Sequence, residues 1–114
     1  MQARQQIRIA GSVEDALRGA VGIVNATPIG MLPDRGTPVP DALLRPDMWV
    51  ADAVYTPLWT PLLTAARAKG AEIMTGRELA IHQAADGFEL FTGLKPSISE
   101  LGNAFDGVMA RRYG

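Results

Sequence analysis

The 114 residues suffice for one domain and not comfortably for two, and 47% hydrophobic with 20% charged residues describes a chain that buries a core. A formal net charge of −1 offers no general attraction to nucleic acid or to an anionic membrane surface. The lack of cysteine excludes disulfides, zinc–thiolate sites and cysteine nucleophiles, and the single histidine, His82, cannot build a multi-histidine metal site alone, so no metal is expected. No stretch approaches the roughly 20 apolar residues of a membrane span, and Met1-Gln2-Ala3-Arg4-Gln5-Gln6 lacks the apolar centre of a signal peptide, so the expectation is a cytoplasmic protein.

In chain order, Ile7-Arg8-Ile9-Ala10 reads as a short edge strand. Ser12, with a carboxylate three residues on at Asp15, starts a helix that runs through Ala16-Leu17 and ends near Gly19. Gly22-Ile23-Val24-Asn25-Ala26 is a buried strand, stopped by Pro28 and turned at Gly30. Prolines and a glycine make Leu32 to Pro40 a loop, and Asp41-Ala42-Leu43-Leu44 forms one helical turn before Pro46. Trp49 to Tyr55 is the clearest strand, apolar on both faces as central parallel strands are. Thr60-Pro61 opens a helix with the stripe Leu62, Leu63, Ala65 and Ala66, closed by Gly70. Ala71-Glu72-Ile73-Met74 is a further strand. A longer helix runs from about Arg77 to Thr92 with Leu79, Ile81, Ala84, Phe88 and Phe91 as its apolar face. The last helix starts at the capping box Ser97-Ile98-Ser99-Glu100 and buries Leu101, Phe105, Val108 and Met109.

Alternating strands and helices imply βαβ units, with right-handed crossovers that put helices on both faces of a parallel sheet. The fold class is α/β: a partial Rossmann-like parallel sheet of four short strands with flanking helices and a C-terminal helical pair. Neither a G-x-G-x-x-G turn nor a P-loop occurs, so the sheet reads as half of a dinucleotide-binding domain.

Three motifs stand in one order and spacing: Val24-Asn25-Ala26-Thr27-Pro28-Ile29-Gly30-Met31; Ala51-Asp52-Ala53-Val54-Tyr55-Thr56-Pro57 with Thr60 and Leu63; and Gly76 to Gln83 continuing through Ala84 to Gly93. Together they resemble the C-terminal portion of shikimate dehydrogenases. His82-Gln83-Ala84 with Phe91-Thr92-Gly93-Leu94-Lys95-Pro96 is more like the bacterial quinate/shikimate branch. The resemblance runs from about Gly11 to Pro96. It implies that residues 1–114 are the C-terminal part of a nicotinamide-dinucleotide-binding domain plus C-terminal helices, less than half of the enzyme. The family's substrate domain, its catalytic lysine and aspartate, and its glycine-rich turn would lie on other sequence, so no catalytic residue is assigned here. It also implies NAD or NADP as hydride carrier and shikimate or quinate as ring substrate.

Asn25, Ala26 and Thr27 fall at the C-terminal end of a parallel strand, where ligands bind in open α/β sheets. Two readings stand for them: local hydrogen bonds that end the strand, or, by the resemblance, contact with the cofactor. Met31 is a core methionine or a cofactor contact. Tyr55 ends the central strand and its phenol can donate to a substrate oxygen; the matching family tyrosine contacts shikimate. Ala53 matches a position lining the nicotinamide pocket. Gly76 permits close backbone approach and by the resemblance faces the nicotinamide together with Leu79, although Glu78 replaces the small residue usual there. Gln83 is an amide among small and apolar neighbours, able to donate and accept, and the family glutamine there binds substrate. Asp52 lies inside an apolar strand and must find hydrogen-bond donors, a structural role. His82 reads as a surface histidine.

Two functional classes follow. One is an oxidoreductase portion whose chemistry is completed by sequence elsewhere. The other is a non-catalytic module that binds or dimerises. An apolar sheet cut before its nucleotide-binding strand exposes an edge that invites pairing, so a homo-oligomer or association with the missing half is expected.

Overall fold

A computed structural model describes residues 6–113 of the chain. The element order is helix α1 (Val13–Leu17), strand β1 (Gly22–Asn25), a 3₁₀ turn (Asp41–Leu43), strand β2 (Trp49–Asp52), helix α2 (Pro61–Ala68), strand β3 (Glu72–Met74), helix α3 (Gly76–Thr92) and helix α4 (Ile98–Tyr113). The three strands form one parallel sheet in the order β1-β2-β3. Its register pairs Gly22, Ile23, Val24 and Asn25 with Trp49, Val50, Ala51 and Asp52, and Trp49, Val50 and Ala51 with Glu72, Ile73 and Met74.

Each element has a local cause. Ser12 is extended and its side chain accepts from the Asp15 N–H, which starts α1. Thr60 caps α2 by accepting from the Leu63 N–H, with Pro61 in the first turn where its missing N–H costs nothing. At the other end of α2, the Ala71 N–H reaches back to the Ala66 carbonyl and the Gly70 N–H to that of Arg67. The Gly93 N–H returns to Glu89 and closes α3, and the Ser97 hydroxyl accepts from the Glu100 N–H at the start of α4.

Strand alternation separates two faces. Val50, with Ile23 and Ile73 beside it in register, points to the side covered by α2, and the core there gathers Leu17, Leu44, Met48, Leu62, Leu63 and Ala66. Burying each leucine contributes about 1.5–3 kcal/mol. The other face holds Val24, Trp49 and Met74, which are 57%, 46% and 46% exposed. The Trp49 ring lies across Gly22, where a Cβ would come within 2.0 Å of the indole. Leu79 of α3 borders this second face along a groove of about 400 Å³.

Several expectations are corrected. Ile7-Arg8-Ile9-Ala10 is not a strand: no ladder pairs it among the described residues, and Ile9 is 94% exposed. A strand without a partner leaves its backbone groups to water, so the sheet has three strands rather than four. Val24, Trp49 and Met74 stay open because no helix packs squarely on their face, so the layers are uneven. The strands also stop earlier than their apolar runs, at Asn25 and Asp52, for a reason that belongs to the site described below. In α3 only Gly76, Ile81 and Ala85 are buried, whereas Ala84, Phe88, Leu90 and Phe91 are exposed, because the half of α3 leading to the α3–α4 turn has no layer beneath it. Leu101, Phe105 and Met109 of α4 are half-buried and Val108 is exposed, because α4 packs mainly on α3. The reading of the first six residues falls largely on 1–5, outside the described residues. No helix among the described residues is long and apolar enough to cross a membrane.

Candidate functional site

The C-terminal ends of β1 and β2 are joined by one buried hydrogen-bond network. Asn25 and Asp52 are register partners and are 3% and 0% exposed. Asn25 Nδ2 donates to Asp52 Oδ1 at 3.1 Å and to the Ile29 carbonyl at 3.1 Å. Asn25 Oδ1 accepts from the Thr27 N–H at 3.1 Å and from Thr27 Oγ1 at 2.6 Å, and the Ile29 N–H donates to Thr27 Oγ1. Asp52 Oδ1 accepts from the Val54 N–H at 2.9 Å, and Asp52 Oδ2 from Thr60 Oγ1 at 2.8 Å. Both strands thus end in a side-chain-to-backbone turn two residues long, which competes with and terminates the ladder. Thr60 holds Asp52 with its proton and α2 with its lone pair. The structural role expected of Asp52 is present in full: one carboxylate takes three donors.

These turns shape two loops. Gly30 is buried at φ +96°, and a Cβ there would lie 3.3 Å from the Gly36 carbonyl, so glycine alone suits the bend that carries Met31. The Leu32 N–H donates to the Thr56 carbonyl at 2.8 Å and ties the first loop to the second. Between them opens a cleft of about 650 Å³, lined on the loop side by Ala26, Thr27, Met31, Ala53, Tyr55 and Thr56, with Pro28 and Val54. The far wall comes from α4, through Ala104, Phe105, Val108, Met109 and Arg112. Tyr55 is 40% exposed, and Phe105 meets it edge to face with ring centroids 5.3 Å apart.

Five of the residues singled out in the sequence therefore share one cleft: Ala26, Thr27, Met31, Ala53 and Tyr55. Asn25 lies beneath it, its amide spent on the network, and the Thr27 hydroxyl is engaged in the same turn. Gly76 is buried behind Ala53 and Val54, and a Cβ on it would fall 2.4 Å from the Val54 carbonyl oxygen. The close backbone approach at Gly76 is thus to the chain's own β2 loop. Leu79 borders the sheet groove instead of the cleft, and Gln83 is exposed on α3 outside the cleft lining. Among the described residues no group of three or more His, Cys, Asp or Glu is placed to hold a metal ion.

The wall supplied by α4 was not foreseen. Residues 104, 105, 108, 109 and 112 lie on one helical face, a spacing visible in the sequence, where Phe105, Val108 and Met109 are read as core. Arg112, near the end of α4, is exposed and also lines this wall. A fork of hydrogen bonds joins α4 to the start of α3. Arg77 Nε and Nη2 donate to the two carboxylate oxygens of Asp106 at 2.8 and 3.1 Å, and Arg77 Nη1 donates to Glu78 at 2.9 Å. The hydrogen bonds from Arg77 hold the Asp106 carboxyl below its ordinary range, and those to Asp106 and then Glu78 raise the Arg77 guanidinium.

No family model matches the chain. A quinate/shikimate dehydrogenase (NAD(+)) of Corynebacterium glutamicum is 49% identical over 96 residues, covering 84% of this chain and 34% of that protein. Among solved structures, the quinate dehydrogenase of C. glutamicum in complex with NAD superposes with a TM-score of 0.76 at 48% identity, over 83% of this chain and 34% of that one. The shikimate 5-dehydrogenase of Thermus thermophilus in complex with NADP(H) and shikimate gives 0.73 at 37% identity, over 80% of this chain and 35% of that one. The chain spans about a third of the length of the curated relatives it matches. It is a homologue of the quinate/shikimate and shikimate dehydrogenases, sharing their Rossmann-like α/β architecture over most of its own length.

Proposed function

We propose that residues 1–114 form the C-terminal part of a nicotinamide-dinucleotide-binding domain with its closing helices, in a shikimate or quinate dehydrogenase that uses NAD or NADP. The observation that carries this is the convergence of Ala26, Thr27, Met31, Ala53 and Tyr55 on one cleft at the C-terminal ends of two parallel strands, where ligands of open α/β sheets bind. The cleft suits the nicotinamide half of such a cofactor. Its wall is mostly apolar, as a flat ring needs, and about 650 Å³ has room for a ring and ribose. When bound, the cofactor supplies a hydride acceptor or donor. The chain's own part is to hold it through Ala26, Thr27, Met31 and Ala53, with Asn25 and Gly76 fixing the loops and water excluded by α4. Tyr55 and Gln83 would meet the ring substrate by hydrogen bonds, the tyrosine from the cleft and the glutamine from α3.

The open sheet face at Val24, Trp49 and Met74 favours association as part of the same reading. Its partner is the remaining two-thirds of such an enzyme or, for this chain alone, a second copy. A cytoplasmic setting belongs to the same proposal. The isolated chain should show no turnover of shikimate or quinate with either cofactor. Mixed with a polypeptide corresponding to the first two-thirds of the C. glutamicum relative, it should restore nicotinamide reduction at 340 nm, and Tyr55→Phe or Gln83→Ala should lower that rate at least tenfold. Robust turnover by the chain alone, or reconstituted activity indifferent to both substitutions, would overturn the assignment.

A further inference from the structure

Helix α4 supplies a whole wall of the cleft, yet its sequence gives it little apolar reason to stay there. Leu101, Phe105 and Met109 are only half-buried and Val108 is exposed. A polar and specific contact also joins it to α3. The Arg77 guanidinium, at the start of α3, forks onto both oxygens of Asp106. One turn earlier on α4, Gly102 is buried, and a Cβ there would lie 2.9 Å from Arg77 Nη2 and 3.7 Å from Ile81 Cδ1. The missing side chain opens the lane through which the guanidinium reaches its carboxylate. Pairing Arg77 with Asp106 and Ile81 with Gly102 sets the two helices antiparallel. The residue next to Asp106 is Phe105, whose ring meets Tyr55.

We propose that Arg77 and Asp106 form a latch that seats α4 on the strand-end loops, so that both are positioning residues for the cleft wall and, through Phe105, for Tyr55. A bidentate guanidinium–carboxylate pair fixes orientation as well as distance, which a lysine in place of Arg77 would not do. The pair is partly exposed, so salt weakens it. The α4 seat is a property of this chain alone; its effect on a ligand rests on the function proposed above.

The test uses the full 114-residue chain in solution. Nuclear Overhauser contacts between the Tyr55 and Phe105 rings report the seat, and contacts between Gly22 and the Trp49 ring report the sheet. In Asp106→Asn and in Arg77→Lys the Tyr55–Phe105 contacts should be lost or fall severalfold, with the Gly22–Trp49 contacts unchanged. The reversed pair Arg77→Asp with Asp106→Arg should recover them, and in the parent chain they should weaken in about 1 M salt. If a variant loses the sheet contacts too, the salt titration of the parent chain decides. Tyr55–Phe105 contacts that persist in both single variants and in high salt overturn the latch. A parallel titration uses nicotinamide mononucleotide as probe, and its Kd should rise at least fivefold in Asp106→Asn. If the ring contacts vanish while the probe's affinity is unchanged, or if the parent never binds it, the latch stands and the ligand assignment of the cleft falls.

Discussion

Removing the Asp52 side chain should cost this protein more than any other single truncation at the strand ends, and the cost follows from counting donors. In Asp52→Ala the Val54 N–H, the Thr60 hydroxyl and one Asn25 N–H lose their acceptor, while Asn25 keeps its bond to Ile29. An unsatisfied buried donor costs about 1–3 kcal/mol, so the three together cost about 3 kcal/mol at the least. Asp52→Asn behaves differently. Its carbonyl oxygen can still receive Val54 and Asn25, but its amide faces the Thr60 hydroxyl, leaving about one group unsatisfied, or about 1–2 kcal/mol. Urea unfolding followed by tryptophan fluorescence measures both. With a slope of about 1–3 kcal/mol per molar, the alanine variant should lose about 1–3 M of midpoint and the asparagine variant about one third to two thirds of that. Combining Asp52→Ala with Thr60→Val should be less than additive by about 1 kcal/mol, because the valine no longer presents an orphaned hydroxyl. Equal losses for alanine and asparagine would mean that charge, not donor satisfaction, governs the site. A loss under about 0.5 kcal/mol for alanine would refute the network outright.

Three further outcomes are expected. Gly76→Ala places a methyl 2.4 Å from the Val54 carbonyl oxygen, a backbone atom that cannot swing aside, so thermal unfolding should show a loss of about 1–3 kcal/mol. The Tyr55–Phe105 contact should be constant from about pH 5 to 8 and weaken under acid. The Asp106 carboxyl lies below its ordinary 3.8 because Arg77, shared with Glu78, holds it ionised, so its contribution is present above that value and is lost as pH falls through the lowered one. A contact that instead disappears between about pH 6 and 7 would point to a different group. Finally, Val24→Glu on the open sheet face should leave the fold intact and shift light-scattering mass towards the monomer. An unchanged mass, or a parent chain that is monomeric at high concentration, would count against association through that face.

Much of the fold was legible because local chemistry decides it. Ser12, Thr60-Pro61, Gly70, Gly93 and Ser97 mark helix ends through hydrogen bonds that span only a few residues, and each marks an end in the structure. The motif around Asn25 and the run through Asp52 announced strand ends at a ligand edge, and five of the residues read from them do share a cleft. The misses are of another kind. Ile7-Arg8-Ile9-Ala10 has a strand's composition but lacks a ladder partner, and pairing depends on residues far away in sequence. Phe88 and Phe91 have a helix's apolar spacing but stand where no layer lies beneath them.

The cleft divides along the same line. By itself the sequence determined which residues could terminate the strands, because an Asn or Asp side chain reaches an N–H two positions on wherever the strand lies. Only the tertiary structure decided that Asn25 and Asp52 stand opposite each other, and that their side chains are consumed in joining β1 to β2. It also decided that Gly76 yields its space to the Val54 carbonyl, and that α4 comes round to close the cleft against Tyr55. Those are contacts between segments separated by tens of residues. Their geometry depends on register and helix seating, which no local pattern encodes.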